Sequence, residues 1–346
     1  MKKNPLSRRN FMHIGMGIVG GSALLSGQSL AKNNKKGVIL NPGTRHQKDY
    51  TCPCHNQNTS EKSLIYKDGE MNPMKFLTHF DYGKVTKLPN GKVQREYTII
   101  AQDKEIEVAP GVKYPAWTYN GHVPGPTLRC TEGDRLKINF VNASHMPHTI
   151  HFHGTHPAEM DGVLEQVKTG ERFTYEFPAN PFGLFPYHCH IMPVKKHIEK
   201  GLYGTYIVDS KTPRPPAKEL VMVMNGFDTD FDGENEFYTV NGYSNYYAEN
   251  PINIRVGELV RVYLVNMTEF DLLNSFHLHG NMFRLYRTGT NLNDYEITDT
   301  VMLCQGERCI IEFSYNYPGM YMFHAHQSEF AELGWMGFFN VLPPVS

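Results

Sequence analysis

The chain has 346 residues, enough for about two domains, and balances 34 lysines and arginines against 35 aspartates and glutamates. That near-neutral charge, with no basic run beyond the first residues, excludes a nucleic-acid-binding surface. Hydrophobic residues at 40% and aromatics at 12% exclude wholesale disorder, while 30 glycines and 22 prolines favour turns and short strands over long helices.

Residues 1–31 contain Lys2, Lys3, Arg8 and Arg9 and no acidic residue. Ser7-Arg8-Arg9-Asn10-Phe11-Met12 resembles the twin-arginine export signal; an apolar stretch follows from Ile14 to Leu25, and Ser29-Leu30-Ala31 offers small residues for cleavage. The apolar run is shorter than the ~20 residues of a membrane span. The expectation is a removed signal peptide and a periplasmic protein with no membrane attachment after cleavage. Losing the four positive charges would leave 30 basic residues against 35 acidic ones, a net charge of −5.

Residues 32–80 read as an irregular arm. From about Arg95 the pattern turns to strands: Tyr97, Ile99 and Ala101 alternate with polar residues, as do Leu136, Ile138 and Phe140. Residues 81–210 are expected to form one domain, 211–218 a proline-rich linker and 219–346 a second domain. The halves repeat one another: Gly257-Glu258-Leu259-Val260-Arg261-Val262-Tyr263-Leu264-Val265-Asn266 echoes Gly133-Asp134-Arg135-Leu136-Lys137-Ile138-Asn139-Phe140-Val141-Asn142. Each half is therefore expected to be an all-β sandwich.

The 17 histidines are clustered, and eight of them form His-x-His pairs: His151/His153, His188/His190, His277/His279 and His324/His326. On a strand, side chains two apart share a face, so each pair is a two-pronged claw. Imidazole suits copper, zinc, iron and nickel. Eight such ligands exceed the needs of one ion and imply a cluster. Cys189 lies between His188 and His190, one residue out of phase, so its sulfur faces the other side of the strand. His148 is out of phase with the His151 claw, and His197 follows Cys189 past a loop. Two imidazoles and a thiolate are the ligand set of a blue (type 1) copper site.

Pro147-His148-Thr149-Ile150-His151-Phe152-His153-Gly154 and His188-Cys189-His190 resemble the copper motifs of multicopper oxidases. The loop from Cys189 to Gly204 resembles instead that of copper nitrite reductases. The combination is similar to the two-domain multicopper oxidases, or two-domain laccases, with blue copper only in domain 1. What the resemblance implies is two cupredoxin-like Greek-key domains in a head-to-tail homotrimer. A trinuclear copper cluster would lie between domain 1 of one subunit and domain 2 of the next, with about four coppers per subunit. It also implies one-electron oxidation of a phenolic, similar aromatic or metal-ion donor, and reduction of O2 to water.

Departures from the family pattern are informative. Ala325 replaces the cysteine in domain 2, and Asn274 replaces the upstream histidine, so no blue site is expected there. Leu202 aligns with the axial position, where nitrite reductases carry methionine, which predicts a raised potential; Met192 is an alternative donor. Asp161 matches approximately the family's acidic position beside the cluster and is expected to relay protons, with Glu329 and then Glu332 as further candidates. The donor is expected to approach the exposed edge of His197 or His148. His145, His156, Met146 and Met160 sit near the ligand strands with no assigned role.

Cys304 and Cys309 flank what reads as a hairpin turn and could form a disulfide. Cys52 and Cys54 with His55, joined by His46 or His79, could hold another metal; alternatively one of these cysteines bonds Cys130 or stays a loose thiol on the arm. Two rival functions compete. A copper nitrite reductase would use one catalytic copper on three histidines, with an aspartate where this chain has His151. A copper-binding or copper-tolerance protein would bind metal without passing electrons to O2.

Overall fold

The computed structural model describes residues 66–67 and 70–345. The proposed leader and the Cys52-Cys54-His55 cluster lie outside the described residues.

The alternation around Tyr97 and Leu136 becomes two neighbouring strands of the first half. Val93–Ala109 runs parallel to Arg135–Asn142, with Arg95 opposite Leu136 and Ala101 opposite Asn142. Arg172–Pro178, Lys84–Lys87 and Val112–Tyr119 complete this five-stranded sheet. A second sheet orders Thr127–Thr131, Tyr203–Asp209, Gly183–His188 and His151–Phe152. Between them lies an apolar core that includes Ile99, Ile138, Phe140, Tyr175 and Cys189. Alternate side chains of each strand point into it, as a two-layer sandwich demands.

The second half repeats this plan. Lys218–Phe227 runs parallel to Val260–Asn266, which pairs with Arg308–Phe313. The facing sheet orders Ile252–Arg255, Met336–Leu342, Gly319–His324, Leu273–Leu278 and Thr300–Cys304. The repetition extends to single hydrogen bonds. Asn142 Oδ1 accepts from Ser144 N at 2.9 Å, and Asn266 Oδ1 accepts from Thr268 N at 3.0 Å. Asn120 and Asn241, both at φ 56°, each accept a backbone N–H of the neighbouring strand, from Ile100 and Val223.

A third apolar cluster, including Leu184, Tyr203, Val221, Val223, Tyr263 and Val265, draws on both halves. Beside it runs a network of charges. Arg129 donates to Asp209 (2.8 and 2.9 Å) and to Glu219 (2.7 and 3.0 Å). Arg261 donates to Glu219 (3.1 Å) and Glu312 (2.7 Å), and Arg214 reaches Glu312 from the proline-rich segment (2.8 Å).

Two sequence expectations need correction. The last part of the arm is not irregular: Tyr66–Lys67 pairs with Glu70–Met71, and the helix Pro73–Phe76 is capped by Asn72 Oδ1 on Lys75 N (3.1 Å). Phe76 and Leu77 are buried, and Leu77 O accepts from Val221 N at 2.8 Å. Elements this short carry no periodicity. Cys304 and Cys309 do not bridge. Cys304 ends a strand of one sheet opposite Leu273, Cys309 lies in the other sheet opposite Leu264, and both thiols are free. The intervening turn crosses between sheets instead of closing a hairpin. Cys130 is also free and buried.

Candidate metal centre

Strand register brings the claws together. His151 and His188 are direct cross-strand partners, and so are His277 and His324. Directly opposed residues of an antiparallel pair share a face, so each domain points two claws at one place. In the first quartet His151 stacks edge-on against His153, His188 and His190, with ring centroids 5.3, 5.3 and 5.4 Å away. In the second, His277 lies 5.0, 5.4 and 5.2 Å from His279, His324 and His326.

Hydrogen bonding aims the ring nitrogens. His188 Nδ1 donates to Cys189 O (3.0 Å), His324 Nδ1 to Ala325 O (2.6 Å), His151 Nδ1 to Asp161 O (2.8 Å) and His277 Nδ1 to Asp299 O (3.0 Å). With Nδ1 protonated, each Nε2 carries a lone pair. Burial first, and then neighbouring histidines, pulls His153 down to about 3 and His188 down to about 4; both are neutral at pH 7. Desolvation likewise lowers His151, His279 and His324.

Behind the first quartet lies a buried triad. Cys189 Sγ sits 3.1 Å from His197 Nδ1 and 3.8 Å from His148 Nδ1, and the two Nδ1 atoms are 3.1 Å apart. The loop that returns His197 is closed by two bonds, Cys189 N to Leu202 O (2.9 Å) and Leu202 N to His197 O (3.2 Å); His197 itself rides on the helix Val194–Glu199. Burial pushes the Cys189 thiol up to about 11 and pulls His148 to about 3 and His197 to about 4. Neutral imidazoles beside a buried sulfur suit a metal that binds thiolate and imidazole together. Leu202 is buried in the same apolar cluster as Cys189. Met192 is 79% exposed, which removes it as an axial donor.

The donor's expected approach is also corrected. His148 is 0% and His197 1% exposed, so neither presents an edge to solvent. Trp117 covers them, its ring centroid 5.2 Å from His148 and 4.9 Å from His197. Asp161 does lie beside the first quartet, with Oδ1 3.2 Å from His151 Nδ1. Glu329 is half-buried in the first turn of the helix Ser328–Glu332. Sequence reading gave no role to Trp117, Ser144 or Asp103. His156 Nε2 bonds Phe152 O (2.9 Å) and its ring lies 5.9 Å from His151.

Models of the family described as Multicopper oxidase match residues 100–213 and 213–345. The chain belongs to the multicopper oxidase family. A crystal structure of a multicopper oxidase is 52% identical and matches with a TM-score of 0.77, covering 78% of this chain and 97% of that one. A blue copper oxidase from Nitrosomonas europaea is 27% identical with a TM-score of 0.64, covering 72% and 86%. A copper-containing nitrite reductase from Neisseria meningitidis is 31% identical over 65% of this chain; the alignment spans 63% of that relative's length. The fold is cupredoxin-like in both halves. Copper is the family's metal, and the imidazole-rich quartets and the thiolate–imidazole triad fit it. The second half keeps the frame of the triad without its donors: Asn274 stands at the His148 position, bonded to Thr268 Oγ1 (2.9 Å), and the buried Ala325 stands at the Cys189 position.

Proposed function

We propose that this protein is a laccase-like oxidase that takes single electrons from a phenolic or similar donor and passes them to O2. His148, Cys189 and His197 would hold a type 1 copper, with the apolar Leu202 buried in the cluster around Cys189. His151, His153, His188, His190, His277, His279, His324 and His326 would hold a trinuclear cluster, giving about four coppers per subunit. Copper supplies the one-electron redox couple and the affinity for O2.

The protein's own contribution is placement. Backbone carbonyls fix the imidazole tautomers, which spares the metal from competing with ring protons. Apolar burial of the triad excludes water from the sulfur. His188-Cys189-His190 joins the triad to the first quartet through one short stretch of backbone. Asp161 is held beside His151, where a carboxylate can deliver protons as oxygen is reduced.

The observation that carries this reading is the doubling of the histidine quartet. Among the described residues, no ring contact or hydrogen bond joins a histidine of one quartet to one of the other. His279 and His326 are exposed. Two half-clusters of this kind support a head-to-tail trimer in which the first quartet of one subunit meets the second quartet of its neighbour. The same eight histidines weigh against a nitrite reductase, which needs three for its catalytic copper, and against a simple copper carrier.

The test is copper content together with O2 uptake. About four coppers per chain and O2 consumption with 2,6-dimethoxyphenol support the proposal. About two coppers with nitrite reduction, or copper binding without O2 uptake, would overturn it. Cys189→Ser should abolish the blue absorption while leaving the remaining coppers in place.

A further inference from the structure

The triad is sealed, yet one hydrogen-bonded path leads from it to solvent. A carboxylate can only accept, so Ser144 Oγ–H donates to Asp103 Oδ1 at 2.9 Å. Ser144 Oγ in turn accepts from His148 Nε2–H at 2.9 Å, which leaves His148 Nδ1 facing Cys189. Asp103 Oδ2 accepts from the backbone N (3.0 Å) and ring Nδ1 (2.8 Å) of His145. The Asp103 and His145 side chains are 40% and 64% exposed. A second, aromatic path runs alongside: Trp117 touches both buried imidazoles and also His145, 5.9 Å away.

The duplicated domain serves as an internal comparison. Ala101 pairs with Asn142 and Tyr119, as Met224 pairs with Asn266 and Val240. Two residues further on, Asp103 opposite Trp117 corresponds to Gly226 opposite Tyr238. The hydroxyl survives in the half without the thiolate, as Thr268 on Asn274. The carboxylate and the indole do not. Asp103 and Trp117 thus accompany the metal-binding chemistry, while the hydroxyl belongs to the shared frame.

Resting on the function proposed above, we infer that Asp103, His145 and Trp117 form the electron port of the triad, and that the port takes a hydroxylated aromatic donor whose O–H bonds the Asp103 carboxylate. In the transfer the donor's O–H bond breaks. The proton goes to the Asp103 carboxylate and then to solvent, and one electron goes to the oxidised copper centre. A neutral aryloxyl radical departs. Trp117 and His148 bridge the distance for the electron. A metal-ion donor fits less well. Lys196 Nζ lies 5.7 Å from the Trp117 ring centroid, and the port offers a cation only one carboxylate, already bonded to His145 and Ser144.

The experiment is anaerobic single-turnover bleaching of the blue absorption in the full-length, copper-loaded protein. Two donors are compared: 2,6-dimethoxyphenol, which must lose a proton, and ferrocyanide, which has none to lose. Asp103→Asn is expected to slow the limiting rate with the phenol on the order of 10²-fold, the usual worth of a placed proton acceptor. Ferrocyanide should bleach it at least as fast as before, and the position of the blue band should not move. Asp103→Glu should recover much of the phenol rate, and His145→Gln should raise the phenol concentration needed for half-saturation. Equal slowing with both donors, a displaced blue band, or no effect on either would overturn the port. Absence of any blue band in the unmutated, copper-loaded protein would instead overturn the functional proposal beneath it.

Discussion

His153 Nε2 and His188 Nε2 face each other across 3.2 Å, and His279 Nε2 and His324 Nε2 repeat the arrangement at 2.9 Å. In His188 and His324 the ring proton sits on Nδ1, bonded to a carbonyl, so each turns an Nε2 lone pair towards its neighbouring imidazole. A copper ion there would take the place of the proton that the two rings share. His188→Ala and His324→Ala should each lower bound copper by on the order of one ion per chain, measured by elemental analysis. The blue absorption should survive in His324→Ala.

Asp161 anchors His151 through its backbone carbonyl as well as its carboxylate. Asp161→Asn preserves the backbone bond while removing the proton-carrying group. O2 uptake should fall on the order of 10²-fold with the blue band unchanged. Undiminished turnover would remove Asp161 from proton delivery.

Leu202 supplies no sulfur to the triad. Leu202→Met conserves volume and should cost less than about 1.5 kcal/mol of stability. By offering a thioether it should lower the reduction potential in a redox titration.

The resemblance of residues 133–142 and 257–266 is visible because a duplicated strand repeats its apolar register, and the claws are visible because strand geometry converts i, i+2 spacing into a shared face. Ser144, Asp103 and Trp117 are not visible in that way. Asp103 meets Ser144 only because Val93–Ala109 runs beside Arg135–Asn142, and Trp117 meets it only across the hairpin; neither pairing leaves a period in the chain. The sealing of His148 and His197 is likewise a product of that pairing. Cys304 and Cys309 mislead for the converse reason: closeness in sequence does not put two residues in one sheet.

Glu219 accepts from Arg129, Arg261 and Tyr263 at 2.7–3.1 Å where the two halves meet. Burial would raise its pKa, but the bonds from Arg129 and then Tyr263 overcome this and hold it at about 2. Glu219→Ala leaves two buried guanidiniums short of a partner. Arg129 keeps Asp209 and Arg261 keeps Glu312, so the cost in urea denaturation should be about 1–3 kcal/mol.

His122 is fully buried, its Nδ1 bonded to Pro124 O, and desolvation pulls it to about 4 from an ordinary value of 6.5. The folded state therefore prefers the neutral ring. Its contribution is fully present above pH 6.5 and is lost as the pH falls towards 4, because the unfolded chain takes up the proton first. The loss is about 3 kcal/mol at most. Urea midpoints measured from pH 7 down to 4.5 should fall less steeply for His122→Gln than for the unmutated protein.

The empty counterpart of the triad, Asn274 with Thr268 beside Ala325, amounts to a blank recorded in the same molecule. It keeps the polar clasp and the sandwich around it after the donors are gone. The frame of the sandwich at that pole therefore does not depend on thiolate and imidazole donors.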